Sequence, residues 1–163
     1  YGGHRDLHSF PTRRSSDLTF LASALGHSAC RAQKKVLFIR ADNMLRELRQ
    51  SRADNSTDRL MRKLIACDLL IIDGFGRRKL DHEKSSDIYE LVIERHRRSS
   101  TIITSNRTTE EWVPLFDDPL LAQSALDRLA HNAHQITMEG ESYRQRRGPN
   151  STSKSRSKGG RIN

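Results

Sequence analysis

Residues 67–76, CDLLIIDGFG, constrain the fold more than any other stretch. Leu69, Leu70, Ile71 and Ile72 run without interruption between Asp68 and Asp73, and glycine follows. A short, unbroken apolar run with branched side chains is the pattern of a strand buried on both faces. Such strands lie inside α/β sheets, and ligands gather at their carboxyl ends. Asp73 stands at that end, where a carboxylate can help hold Mg²⁺ on phosphates. The plain alternative is an aspartate that caps a turn after an ordinary buried strand.

The rest of the chain alternates in the same sense. Residues 36–40 (VLFIR) and 100–104 (STIIT) are further strand candidates. Residues 19–33 place Leu21, Leu25 and Ala29 on one helical face with Ala22 and Cys30. Residues 41–50 read as a helix, with Asp42 or Asn43 near its start and Met44, Leu45 and Leu48 inward. A polar loop over 51–57 leads to a short helix over 58–66. Residues 74–80 form a loop carrying Arg77, Arg78 and Lys79, which either touch DNA phosphate or are simply solvated. Asp81 can cap a helix reaching residue 98, with Ile88, Leu91, Val92 and the aliphatic stem of Arg95 facing inward. Residues 110–116 and 119–130 look helical, with Trp112 read as packing, and 134–139 reads as a last strand. Strands alternating with helices imply a parallel sheet.

The length of 163 residues suits one domain. No apolar stretch approaches the roughly 20 residues that span a bilayer, and the N-terminal end has no apolar leader, so no membrane role and a cytoplasmic location are expected. Cys30 and Cys67 match no metal or redox spacing and read as small buried hydrophobes. Most of the net charge of +9 sits at one end: residues 141–163 carry seven cations against Glu141 alone. That segment is rich in Ser, Lys, Arg and Gly, lacks apolar periodicity, and is expected to be a disordered basic tail suited to polyanions.

From residue 19 to residue 144 the sequence resembles the IstB-like ATP-binding family, AAA+ P-loop ATPases that assist transposases of bacterial insertion sequences and are relatives of DnaC helicase loaders. The stretches that carry the resemblance are TFLASALGHSACR, VLFIRADNMLREL, DLLIIDGFG, DIYELVIERHRRSSTIITSNR, EEWVPLF and ALDRLAHNAHQITMEGESYR, in family order. The resemblance implies an α/β fold, an AAA+ parallel sheet flanked by helices, over residues 19–140. It also implies ATP and Mg²⁺ as cofactors, and DNA, a transposase and further copies of the same chain as partners.

Site residues follow from the same resemblance. Thr19 falls on the hydroxyl position that ligates Mg²⁺, although alone it would read as a helix N-cap. Asp73 falls on the Mg²⁺-associated Walker B carboxylate. The next position is usually acidic in the family and activates the attacking water. Here it is Gly74, which has no side chain to act as a base. Asn106 matches the sensor residue at the γ-phosphate. Arg128 matches the arginine finger inserted into a neighbouring subunit's site, against a plain reading as a surface arginine paired with Asp127 or an i−4 partner. Arg144 falls where related loaders place a second nucleotide-sensing arginine.

Residues 1–18 break the pattern. They resemble the conceptual translation of a short-read sequencing adapter along their length, with Gly3 the one departure. The expectation is a foreign segment fused to a truncated gene. It would stand where the family carries its phosphate loop and the strand before it, and Leu18 occupies the position of the loop's lysine. In that fold the missing strand lies mid-sheet, so its loss should leave two neighbours without a backbone partner and weaken the domain. Three functional readings follow: a transposition helper impaired in this copy, a helicase loader, and a vestigial, non-catalytic DNA-binding protein working through its tail.

Overall fold

The computed structural model describes residues 17–131 and 133–138. In chain order these form α1 (Asp17–Arg31), β1 (Val36–Arg40), α2 (Ala41–Ala53), α3 (Thr57–Ala66), β2 (Leu69–Phe75), α4 (His82–Arg95), β3 (Ser100–Ser105), a 3₁₀ turn (Glu110–Leu115) and α5 (Pro119–Ala130). The strands make one parallel sheet in the order β1-β2-β3, with Leu69 opposite both Val36 and Ser100. Parallel strands need a crossover, and helices supply both of them here.

Two apolar clusters hold the layers together. One lies under α1 and joins Ala22 to Val36, Leu69 and Ile71. The other is larger and joins Leu70, Ile72 and Phe75 to Met44, Leu48, Leu64, Ile88, Leu91, Trp112 and Leu126. Leu70 and Ile71 are both fully buried, so the central strand is covered on both faces, as its unbroken apolar run implies.

Several boundaries differ from the sequence expectation. Helix α2 runs on to Ala53, and α4 stops at Arg95. The α1 face that is buried consists of Thr19, Ala22, Ser23 and Gly26, while Leu25 and Cys30 are exposed. Small residues let α1 approach the sheet closely, which a count of large apolar positions does not register. Residues 133–138 form no strand. Among the described residues β3 pairs with β2 alone, and residues 133–138 join neither edge of the sheet.

Arg95 is buried whole, not by its stem alone. Its guanidinium donates to the carbonyls of Leu64 (2.8 Å), Ile65 (3.0 Å), Cys67 (3.0 Å) and Ser100, and to the hydroxyl of Thr101. It thereby satisfies the last carbonyls of α3, which helix geometry leaves unpaired, and ties them to the start of β3. A second cross-link joins α2 to α4, where Arg52 meets the buried Asp87 at 2.6 Å.

Candidate functional site

The carboxyl end of β2 is irregular. Ile72 pairs with Ile103 and Phe75 with Ser105, so Asp73 and Gly74 together oppose Thr104 alone. This is a β-bulge. Gly74 has φ of +74°, the left-handed region that glycine adopts without a Cβ penalty. The Gly74 amide, which the ladder no longer serves, donates instead to the Thr104 hydroxyl at 2.9 Å.

The bulge sets Asp73 under the first turn of α1. The Thr19 hydroxyl donates to Asp73 Oδ1 at 2.7 Å, and the Thr104 hydroxyl donates to the same oxygen at 2.7 Å. All three residues are buried. Thr19 sits inside α1, which begins at Asp17, so it is not the helix N-cap. Asp73 Oδ2 receives no hydrogen bond from the described residues.

These groups fit a hard divalent cation. Hydroxyl and carboxylate oxygens suit Mg²⁺, which takes one or two protein ligands and completes its shell from water and phosphate. Among the described residues no group of three or more His, Cys, Asp or Glu could hold a metal by itself.

The other expected site residues are placed less directly. Asn106 follows β3 at the same edge of the sheet and is exposed. Its neighbour Arg107 donates to the Gly76 carbonyl at 2.7 Å, which ties that turn to the loop after β2. Arg128 lies near the end of α5 and binds its own helix, donating to the Ser124 carbonyl (2.8 Å) and hydroxyl (2.6 Å). This is the i−4 partner of the plain reading, and it does not join Arg128 to Asp73. Arg144 lies outside the described residues.

A cavity of about 490 Å³ opens beside the bulge, where β1 and β2 end. Arg40, Arg46, Arg49, Arg77, Arg78, Lys79 and Lys84 line it, against Asp42 as the single acid among its lining residues. The expected basic loop is therefore one wall of a larger cationic hollow. The other wall comes from α2, whose Arg46 and Arg49 are three residues apart and so share a helix side. That spacing was present in the sequence but reads there as an ordinary solvated face. Thr104 was missed as well, because its role depends on the bulge.

The family pattern described as IstB-like ATP binding protein matches residues 15–151. The chain belongs to the IstB-like ATP-binding family. Relatives of this IstB-like chain include a protein of Sinorhizobium fredii, 40% identical over 126 residues, covering 77% of this chain and 51% of the relative. Another, from Mycobacterium tuberculosis, is 38% identical over 135 residues, covering 82% and 54%. Both are named as ATP-binding proteins of insertion sequences. The IstB-like chain thus spans about half the length of the curated relatives it matches. Among solved structures it is similar to DnaA from Aquifex aeolicus bound to AMPPCP, with a TM-score of 0.58 and 16% identity, over 66% of this chain and 34% of that one. DnaA bound to AMPPCP and single-stranded DNA matches with the same TM-score and identity, over 65% and 33%. At that identity the likeness shows the AAA+ fold. No helix among the described residues is long and apolar enough to cross a membrane.

Proposed function

We propose that this IstB-like chain belongs to an ATP-dependent helper of DNA transposition, with its magnesium–nucleotide pocket at Thr19 and Asp73. The observation that carries the reading is the 2.7 Å contact between the Thr19 hydroxyl and the Asp73 carboxylate, at the end of a buried parallel strand in a chain of this family. Magnesium on a bound nucleotide would neutralise phosphate charge. Thr19 and Asp73 would hold it, Asn106 would contact the terminal phosphate, and Arg128, together with Arg144, would sense the nucleotide across and within subunits of a homo-oligomer. For Arg128 to act in a neighbour it must leave Ser124. Hydrolysis by this chain is expected to be slow, because Gly74 offers no base. A transposase is the expected protein partner.

DNA is the expected polyanion, and the cation-lined cavity beside the bulge is the surface that supports it. Phosphate contacts of this kind weaken as salt rises, because bound counterions are released.

ATP binding should be measured by equilibrium dialysis on the chain as it stands and on a version with a Gly-x-x-x-x-Gly-Lys loop placed directly before Thr19. Binding that appears or strengthens with the loop, and is lost with Asp73→Ala, supports the reading. Nucleotide binding indifferent to Asp73 overturns it. DNA affinity that ignores ATP and disappears when residues 141–163 are removed would favour the non-catalytic DNA-binding alternative, which the basic tail supports.

A further inference from the structure

The β2 bulge leaves two backbone positions facing one side chain, and that side chain is Thr104. Its hydroxyl accepts from the Gly74 amide and donates to Asp73 Oδ1. A hydroxyl has one proton and two lone pairs: the amide can only donate and so meets a lone pair, and the carboxylate can only accept and so receives the proton. Asp73 Oδ1 is then occupied by two hydroxyl donors, Thr104 and Thr19, and Oδ2 is left without one among the described residues.

We propose that Thr104 is a positioning residue for the cation site. It locks the rotamer of Asp73 through Oδ1 so that Oδ2 is presented to a divalent cation, and it does so by bridging the bulge. The inference rests on the reading of Asp73 as the cation-holding carboxylate. The two hydroxyls are not equivalent. Thr19 can turn its oxygen toward the cation, whereas Thr104 is held by the Gly74 amide and stays with Asp73. A valine at position 104 would keep the shape and lose both bonds. A serine would keep both bonds and lose a methyl group.

The test is a Mn²⁺ titration of the ¹⁵N-labelled chain, followed by paramagnetic broadening of the amide signals of Thr19, Gly74 and Phe75 relative to amides on α5. In the unaltered chain these three should broaden first. Thr104→Val should need about 10-fold more Mn²⁺ for the same broadening, a loss equivalent to one hydrogen bond to a charged group. Thr104→Ser should respond within about 2-fold of the unaltered chain, since the hydroxyl is retained. Amide exchange at Gly74 should quicken in Thr104→Val and not in Thr104→Ser. If Asp73→Asn abolishes the response while Thr104→Val leaves it unchanged, the positioning role is overturned and the cation reading survives. If Asp73→Asn leaves the response intact, or the unaltered chain shows no selective broadening, the cation reading falls and the positioning role falls with it. Should Thr104→Val fail to fold, Thr104→Ala decides against Thr104→Ser: a response weakened in the alanine and kept in the serine supports the hydroxyl, and equal responses in the two overturn it.

Discussion

The Arg95 guanidinium donates to the Cys67 carbonyl at 3.0 Å and lies 3.3 Å from the Cys67 sulfur, at the turn between α3 and β2. Burial lowers the affinity of this guanidinium for its proton, an arginine nonetheless remains charged, and no carboxylate faces it in these contacts. The charge is met by carbonyl dipoles gathered from α3, the turn that follows it and β3.

Replacing Arg95 by Met should therefore strand several buried carbonyls at once. At about 1–3 kcal/mol for each unsatisfied group, the loss of stability should exceed roughly 3 kcal/mol. Arg95→Lys should recover only part of it, because one ammonium cannot span the same fork of acceptors. Urea unfolding followed by circular dichroism measures both. A loss below about 1 kcal/mol for Arg95→Met would contradict the structure.

Burial also raises the pKa of the Cys67 thiol, with the Arg95 charge pulling less strongly the other way. The nucleophile is the thiolate, so the raised value and the lack of access act in the same direction. At pH 8 a disulfide reagent such as DTNB should label exposed Cys30 quickly and Cys67 only as the protein unfolds. In a Cys30→Ser variant the native protein should give almost no fast phase, and urea should restore one equivalent.

Gly74→Ala should destabilise the chain by about 1–2 kcal/mol, since φ of +74° suits glycine and burdens any residue with a Cβ. That Cβ would also stand 3.2 Å from Arg77 Nε. The family's usual acid could enter here only if the bulge or Arg77 gives way. Thermal melting of Gly74→Ala, with Gly76→Ala as a second left-handed position, checks the cost.

Asp81 caps α4 by accepting from the Lys84 amide at 3.0 Å and from the Lys84 ammonium. Those two hydrogen bonds, the side-chain one first, hold its carboxyl below the usual range. The value in the folded state is lower than in the unfolded state, so the stabilisation is complete above the unfolded value of about 3.9 and fades as pH falls through the folded one. Asp81→Asn keeps a capping oxygen and should change stability at pH 7 by less than about 1 kcal/mol, because the site is exposed. It should flatten the decline below pH 4. Urea midpoints at pH 7 and pH 3 test the sign.

Much of the fold was legible because the strands are short runs rich in branched residues, and the one unbroken apolar run is the strand buried on both faces. All three appear where VLFIR, LLII and STIIT stand, and β2 reaches Phe75 only because pairing resumes after the bulge. Asp81 was legible too, since capping is local. The failures are non-local. Alternation in 134–139 describes a strand that needs a neighbour, and the described part of that segment has none in a ladder. Arg95 reads as an amphipathic helix residue until α3 and β3 are seen to end beside it. Thr104 is an unremarkable strand threonine until two residues face it.

The bulge at Asp73 and Gly74 also decides which side of the sheet each end of β2 serves. In an uninterrupted pleat Leu69, Ile71, Asp73 and Phe75 would all point the same way. Leu69 and Ile71 do face α1, as does Asp73 through Thr19, but Phe75 lies in the opposite cluster, edge-on to Trp112 at 4.8 Å. One added residue shifts the alternation by half a period. The same strand can then offer an acid to the helix above it and, two positions later, anchor an aromatic ring in the core beneath. Flattening the strand with Gly74 still in place would put both residues on one face, and one of the two demands would go unmet.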